Sequence, residues 1–191
     1  MLELKKKITF LSSMADGPET TSEKKLEHSC LIYMGVLMSM GGLLWGSTLL
    51  LVGLPYESVI PFAYVLITFF NFTYLNFSKD FQTVRAFQVL ISLFLPFLFQ
   101  FLLGGFVASG AVVWWSLLAI LSGFAYQDKK TNTGWFVVYI VLIILSALFD
   151  EEAKTMGVKV PPEISTLFFT INIIAVSTII YTLFFIKKKA K

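Results

Sequence analysis

The chain has 191 residues, of which 57% are hydrophobic, and its formal net charge is +3. It contains one cysteine and one histidine, which excludes an intrachain disulfide, a multi-cysteine metal site and a haem held by two histidines of one chain. The positive charge does not indicate nucleic-acid binding, because the cations cluster beside apolar segments, where anionic lipid is the natural counter-charge. We therefore expect an all-α integral membrane protein.

The first 29 residues are predicted to be a cytoplasmic N-terminal segment. It contains three apolar residues at helical spacing and three lysines: Leu4, Ile8 and Leu11, and Lys5, Lys6 and Lys7. This pattern is typical of a basic amphipathic helix lying in the headgroup region, and a solvated arm is the alternative. Thr20, followed by Glu23, predicts a capping box that begins the helix leading into the membrane. His28 is expected to be a juxtamembrane surface residue, and Cys30 a structural thiol.

Six apolar runs follow, each near the length of about 20 residues that a helix needs to cross a bilayer. The predicted spans cover about 30–52, 58–77, 86–103, 107–126, 135–149 and 164–186. The third and fourth come from residues 86–126, which hold no Asp, Glu, Lys, Arg or His. Residues 103–106 (LGGF) offer the turn between these two spans, and Pro96 predicts a kink in the third.

The distribution of cations predicts the orientation of these spans. Of the 15 Lys and Arg residues, 13 fall on the side that holds both termini, including the basic tail 187–191, and only Lys154 and Lys159 fall on the other. The positive-inside rule then predicts a six-transmembrane-helix bundle with cytoplasmic N- and C-termini. The acidic run 150–152 begins an outer loop, interpreted as solvated, with loose cation binding as the alternative. Four aromatic residues are candidates for interfacial anchors: Trp45, Tyr56, Tyr126 and Trp135.

Uncharged polar residues supply the only hydrogen-bonding side chains within the predicted spans. No Asp, Glu, Lys or Arg lies in the middle of a span, which argues against a proton relay, an ion pump or a transporter of charged substrates. The polar set is Asn71, Asn76, Gln88, Gln100, Ser116, Asn172 and Ser177. Hydrogen bonding between helices is one interpretation, and a polar-lined pocket is the other. Gly41, Gly42 and Gly46 are predicted to let helix backbones pack closely.

The sequence predicts no catalytic chemistry. It contains no Gly-rich phosphate loop, no Ser/His/Asp set and no paired carboxylates within a span. We accordingly predict no catalytic residue, no metal site and no cofactor in this chain.

An ordered series of motifs runs along the chain. The motifs are 41–46 (GGLLWG), 60–64 (IPFAY), 81–88 (FQTVRAFQ), 95–100 (LPFLFQ), 103–110 (LGGFVASG), 115–116 (WS) and Asn172. Together they resemble the N-terminal six-helix membrane domain of bacterial class III adenylate/guanylate cyclases, over residues 20–186. The segment around 103–106 is the most specific part of the resemblance.

The resemblance implies a role as an anchor and sensor in a bacterial inner membrane. In that family the sixth span continues into a helical linker and a dimeric catalytic domain with two metal-binding aspartates, none of which this chain carries. It therefore implies a homodimer that relays a signal through its last helix to a cytoplasmic cyclase-type effector. The chain is expected to be either a fragment of such a cyclase or a stand-alone relative.

A ligand site is predicted near the turn between spans three and four, in the outer leaflet. Its candidate contacts for a lipophilic or small-molecule ligand are Gln100, Gly104, Gly105, Ser109, Trp115 and Asn172. Two other functions stay open. One is a transporter or pore for a small neutral or lipophilic solute, with residues 104–105 in a re-entrant element. The other is an accessory subunit of a larger membrane complex.

Overall fold

The computed structural model of the protein describes residues 20–123 and 129–189, and every regular element in those ranges is a helix. The helices are α1 (Ser22–Leu51), α2 (Val59–Ser78), α3 (Phe81–Leu102), α4 (Gly105–Ala108), α5 (Trp114–Gly123), α6 (Lys129–Leu148), α7 (Asp150–Met156) and α8 (Pro162–Lys189). The predicted amphipathic helix near the N-terminus lies outside the described residues.

Five of these helices are long and apolar enough to cross a membrane: α1, α2, α3, α6 and α8. The expected all-α class is therefore confirmed for the described residues, which include five helices capable of crossing a membrane. The predicted fourth span, 107–126, coincides with two shorter helices, α4 and α5. Within the described residues, neither reaches the length of about 20 residues that a crossing requires.

The first helix begins earlier than the predicted span at residue 30. Its N-cap is Thr21, whose hydroxyl accepts a hydrogen bond from the backbone N–H of Lys24 at 3.4 Å. The predicted cap at Thr20 is therefore wrong by one residue. α1 also buries His28, which stacks on Phe81 with ring centroids 4.2 Å apart. The expectation that this histidine is a surface residue is wrong, because the N-terminal end of α3 covers it.

Other helices also extend beyond the apolar runs that predicted them. α3 begins at Phe81, inside the expected loop, because the Asp80 carboxylate accepts the backbone N–H of Thr83 at 3.2 Å. α6 begins at Lys129 and α8 runs from Pro162 to Lys189, both wider than the predicted spans. Polar residues are tolerated where a helix leaves the bilayer, so an apolar run gives a lower bound on helix length.

The predicted turn at residues 103–106 is present. Gly104 and Gly105 have φ values of +90° and +93°, a region in which glycine carries little steric cost. A continuous fourth span from Val107 is wrong, however, because the chain leaves the helix again after α4. Gly110 and Ala111 lie at φ +61° and +56°, and α5 starts only at Trp114.

The main hydrophobic core lies where α1, α2, α3, α5 and α8 meet. Its largest buried side chains include Trp45, Tyr64, Phe99, Trp115 and Phe168. The Trp45 ring packs edge-on against Phe99 at 5.2 Å and lies 4.7 Å from Phe168. The interpretation of Trp45 as an interfacial anchor is therefore wrong, since it is 2% exposed at the centre of the bundle.

Candidate functional site

Asn172 of α8 forms a hydrogen-bonded junction at the centre of the core. Its Oδ1 accepts the indole N–H of Trp45 at 3.0 Å and that of Trp115 at 2.7 Å. Its Nδ2 donates to the carbonyl oxygens of Ser109 at 3.2 Å and Gly110 at 2.7 Å. We call this set the Asn172 junction. A side-chain amide has two acceptor and two donor positions, and all four are used.

The junction forms because small residues admit the two indoles and α8. A Cβ added at Gly41 would overlap the ring of Trp115, so the glycine makes room for that indole in the face of α1. A Cβ at Gly110 would lie 2.6 Å from the backbone carbonyl carbon of Phe168. Together the two glycines bring Trp115 and the break after α4 within reach of Asn172.

The other two glycines predicted to assist packing lie in the contact between α1 and α2. A Cβ at Gly42 would meet the carbonyl oxygen of Pro61 at 2.9 Å. At Gly46 it would meet the ring of Phe62 at 2.6 Å. These close approaches are made within one chain.

A second polar cluster joins α2 to α3. The Gln88 amide donates to the hydroxyls of Tyr64 and Thr68, each at 3.0 Å, and its Oε1 accepts from Asn71 at 3.0 Å. The Tyr64 hydroxyl also lies 2.9 Å from that of Ser92. We call these five side chains the Gln88 cluster. All of them are buried, and each hydrogen bond described here joins one helix to the other.

Hydrogen bonding between helices is thus confirmed for several of the polar residues found in the sequence. Besides the Asn172 junction and the Gln88 cluster, Ser116 of α5 donates to the carbonyl oxygen of Leu93 in α3 at 2.8 Å. The preceding carbonyl, that of Ser92, loses its usual helical donor because Pro96 has no N–H.

Gln100 differs from the other buried amides. It is 2% exposed, and its Oε1 is a buried oxygen without a hydrogen-bond partner. A buried, unpaired acceptor costs about 1–3 kcal/mol. Gln100 makes no hydrogen bond to the Asn172 junction.

The remaining candidate ligand residues lie around the short helix α4. Ser109 is fully buried and its hydroxyl donates to the carbonyl oxygen of Phe106 at 3.3 Å. Gly104 lies against the α7–α8 connection, where an added Cβ would be 2.9 Å from the carbonyl oxygen of Val158. Of the six predicted contacts, the structure joins Ser109, Trp115 and Asn172 in one junction and leaves the others outside it.

Asp150 fixes the start of α4, a role that the sequence did not reveal. Its Oδ1 accepts the backbone N–H of Phe106 at 2.9 Å and its Oδ2 pairs with Lys154 at 2.9 Å. A Cβ at Gly105 would overlap this carboxylate. Burial acts to raise the pKa of Asp150, but the hydrogen bonds from Lys154 and Phe106 outweigh it and hold the pKa below its ordinary value. The expectation that the acidic run is a solvated loop is therefore wrong for Asp150.

Two cavities lie beside these residues. The first, of about 50 Å³, has walls of apolar residues and includes the rings of Trp45 and Trp115. Its further lining residues include Gly41, Gly42, Ile60, Pro61, Leu95 and Pro96. We call it the indole cavity. The second, of about 700 Å³, is wide and lies between α4 and the start of α8, lined in part by Gly104, Phe106 and Phe169.

The residues that sequence reasoning missed include Trp45, Tyr64 and Asp150. An aromatic residue between glycines in a span, as in the 41–46 motif, was a usable signal for Trp45, because small neighbours create space for a buried ring. Nothing local marked Asp150, since its partner Phe106 is 44 residues away along the chain.

Comparison of the chain with protein-family models, with curated proteins and with solved structures gives no match.

Proposed function

We propose that the chain is a membrane anchor and sensor module that forms a homodimer and relays a signal through α8 to a cytoplasmic effector of the nucleotide cyclase type. The observation that carries this proposal is the way α8 joins the bundle. It combines one buried amide, Asn172, with a broad apolar face that the other described helices leave exposed.

The buried face of α8 is narrow. Within residues 162–182, the part of α8 whose side chains are described, the buried ones are Phe168, Asn172, Val176 and Ile179. A helix that packs along one narrow face loses little buried apolar area when it moves. The free-energy cost of moving it is therefore lower than for a helix surrounded on all sides, because that cost scales with the apolar area exposed. Such a helix suits a relay.

The exposed face of α8 supports dimerisation. Leu167, Ile174 and Tyr181 are exposed and recur every seven residues, which places them on one face at the spacing of a left-handed helix pair. Membrane helix pairs adopt similar crossing geometries. Two copies of α8 packed along this face would enter the cytoplasm side by side.

Six crossings with both ends in the cytoplasm complete the proposal. The support is the placement of 13 of 15 Lys and Arg residues on one side of the predicted spans. In this arrangement α4, the break after it and α5 together fill the fourth crossing, and the break is largely buried, with Ser109, Val112 and Val113 each at most 5% exposed. A reporter active only in the cytoplasm, fused after Lys191, should be active, and a fusion within residues 157–160 should not. The reverse pattern contradicts the topology.

Cysteine cross-linking in membranes tests the dimer. In a Cys30→Ser background, Ile174→Cys and Tyr181→Cys should each give a cross-linked dimer, because they lie on the proposed dimer face. Leu66→Cys on α2 is the matched control, since Leu66 is similarly exposed but lies on another helix. Equal yields at all three positions would indicate random collision and remove the support for this interface.

A fusion tests the relay. A homodimeric cyclase catalytic domain joined after Lys191 through a helical linker should give an activity that depends on linker phase, because each added residue turns the helix by about 100°. Asn172→Leu should alter this dependence. If every linker and the variant give the activity of the soluble catalytic domain, the relay is contradicted.

One observation favours a second function, transport of a small neutral or lipophilic solute. The wide cavity beside α4 lies next to irregular backbone at residues 109–113, and irregular backbone at membrane depth is tolerated where it lines a cavity. Solute-specific flux into liposomes carrying the purified chain would support transport over the relay. Flux that Phe169→Ala and Val107→Trp leave unchanged would contradict a path through this cavity.

A further inference from the structure

We propose that the indole cavity binds the end of a hydrocarbon chain, and that its occupancy sets the position of α8 through Trp45 and Trp115. The binding site stands on the cavity itself. Its consequence for signalling rests on the proposed relay through α8.

The chemistry of the walls selects an apolar guest. The lining is made of apolar side chains together with Tyr64 and the two indoles. The polar groups of these three rings are already engaged: both indole N–H groups donate to Asn172, and the Tyr64 hydroxyl bonds with Ser92 and Gln88. A polar guest would lose its own hydration without gaining a new partner, which is costly.

The size of the cavity selects a narrow guest. Its volume of about 50 Å³ lies above the 10–15 Å³ or so that one water needs and below the 150 Å³ or so of a cavity known to hold benzene. The last few carbons of an alkyl chain fit this range. Gly41 and Gly42 line the cavity, and the positions that a Cβ would take there are filled by Trp115 and by the backbone of Pro61.

The position of the cavity gives the guest a route of entry. Half-buried Ile60 of α2 and half-buried Leu95 of α3 stand at its edge. Pro61 and Pro96 lie beside them on the same two helices. An apolar chain therefore enters sideways between α2 and α3, from the hydrocarbon layer, without crossing water.

The indoles connect the cavity to α8. One part of each rigid ring lines the cavity, while its N–H group holds Asn172 Oδ1 at 3.0 or 2.7 Å. A guest that displaces either ring therefore moves or weakens its hydrogen bond to α8. Such a guest shifts the position of α8 only if it binds one arrangement of the indoles more tightly than the other.

Fluorescence quenching tests the binding. Of the four tryptophans, Trp114 and Trp135 are replaced by Phe, so that emission reports only Trp45 and Trp115. Both are buried, at 2% and 5% exposure, so a heavy-atom quencher reaches them efficiently only from within the cavity. One arm uses n-butyl bromide with the protein in detergent. The other uses nanodiscs containing phosphatidylcholine brominated at the end of one acyl chain.

We expect saturable quenching, and its loss in Ile60→Phe, which fills the edge of the cavity. The matched control is Leu98→Phe, which adds a ring to an exposed position of α3 and should leave quenching unchanged. Leu95→Phe provides a second cavity-filling variant should Ile60→Phe lose helicity by circular dichroism.

The two arms distinguish the sources of the hydrocarbon. If quenching occurs only in the detergent arm, the hydrocarbon chain in the cavity belongs to a free lipophilic molecule. Quenching in nanodiscs alone identifies bilayer lipid. The site is overturned if quenching in both arms is non-saturable and neither cavity-filling variant reduces it.

Cross-linking at Ile174→Cys tests the coupling. The cross-linked yield should change with the same midpoint in n-butyl bromide as the quenching, and should not respond in Asn172→Leu. An unchanged yield with saturable quenching overturns the coupling and leaves the site standing. Absence of any cross-linking, with or without the probe, contradicts the proposed dimer while the quenching result is unaffected.

Discussion

The first three helices and the last long helices of this chain are packed in different ways. In their most apolar stretches, α1, α2 and α3 have 39%, 33% and 56% of residues buried, against 6% in α6 and 22% in α8. Mean hydropathy shows the opposite order: it is 1.5, 1.4 and 1.7 in α1, α2 and α3, and 1.9 in both α6 and α8. The most apolar helices are therefore the least buried, as expected when their outer surfaces meet hydrocarbon rather than protein.

Polar contacts show the same contrast. α2 and α3 are joined by the Gln88 cluster, in which five side chains bond across one interface, whereas α8 is joined to the bundle by the hydrogen bonds of the Asn172 amide. The comparison suggests a fixed framework, α1 to α3 with α5, and a last helix attached at one junction. Four substitutions probe this difference, from the largest expected effect to the smallest.

Asn172→Leu should have the largest effect on stability. It leaves two buried indole N–H groups without their acceptor, at about 1–3 kcal/mol for each unsatisfied group, so we expect a loss of about 2–6 kcal/mol. Unfolding of the purified protein in mixed micelles, followed by circular dichroism, measures it. Thr178→Val is the control on the same helix, because its hydroxyl is exposed and bonds only within α8, to the carbonyl of Ile174. Similar losses in both variants would contradict the importance of the junction.

Gly110→Ala should come next, because it strains the backbone and also pushes on α8. Alanine at positive φ costs about 1–2 kcal/mol, and here its Cβ would also overlap the backbone at Phe168 and Phe169. Gly53→Ala separates the two effects, since Gly53 has φ +81° with open space around it. The same unfolding assay should show a larger loss for Gly110→Ala. Equal losses of stability in the two variants would mean that α8 moves away from the added methyl group without a measurable cost.

Gln88→Leu should destabilise the framework by about 1–3 kcal/mol, because it removes a donor and an acceptor from a buried network. The loss should leave cross-linking at Ile174→Cys unchanged, since the Gln88 cluster lies between α2 and α3. Gln82→Leu, at an exposed position of α3, is the control and should be close to neutral. A change in the α8 cross-link would show that the framework and α8 are not separate.

Asp150→Asn should have the smallest effect, about 1 kcal/mol or less, because the ion pair with Lys154 is partly solvated. The pKa of Asp150 is lower in the folded protein. Its contribution is therefore present above the unfolded pKa of about 3.9 and is lost as the pH falls through the folded pKa. The backbone amide signal of Phe106 should shift in that acidic range by NMR, and should stay constant in Asp150→Asn. A shift near neutral pH would contradict this assignment.

The sequence predicted the features that depend on local composition. Long uncharged runs identified the five helices that are able to cross a membrane, and paired glycines after Leu103 identified the turn before α4. The break at 109–113 was not predicted, because it lies in an apolar run in which Gly110 is the only local signal. The partners that hold it, Phe168 and Asn172, come from a helix more than 50 residues further along the chain.

The candidate site was predictable only in part, for the same reason. Asn172 and Trp115 could be selected because polar and aromatic groups inside a span require partners. Their partners could not be identified, since several amides, hydroxyls and indoles were equally available. Gln100 is also a polar residue inside a predicted span, so the sequence did not distinguish it from Asn172. In the folded protein the Asn172 amide has all its hydrogen bonds, whereas the side-chain oxygen of Gln100 has no partner.

The full hydrogen-bonding capacity of Asn172 has an evolutionary consequence. Aspartate would retain the acceptor oxygens but bring a charge and no amide donors, and glutamine would place its amide one carbon further from the helix. Positions 45, 115 and 172 should therefore vary as a set among any relatives of this chain. A lineage that loses either tryptophan is expected to lose the asparagine as well.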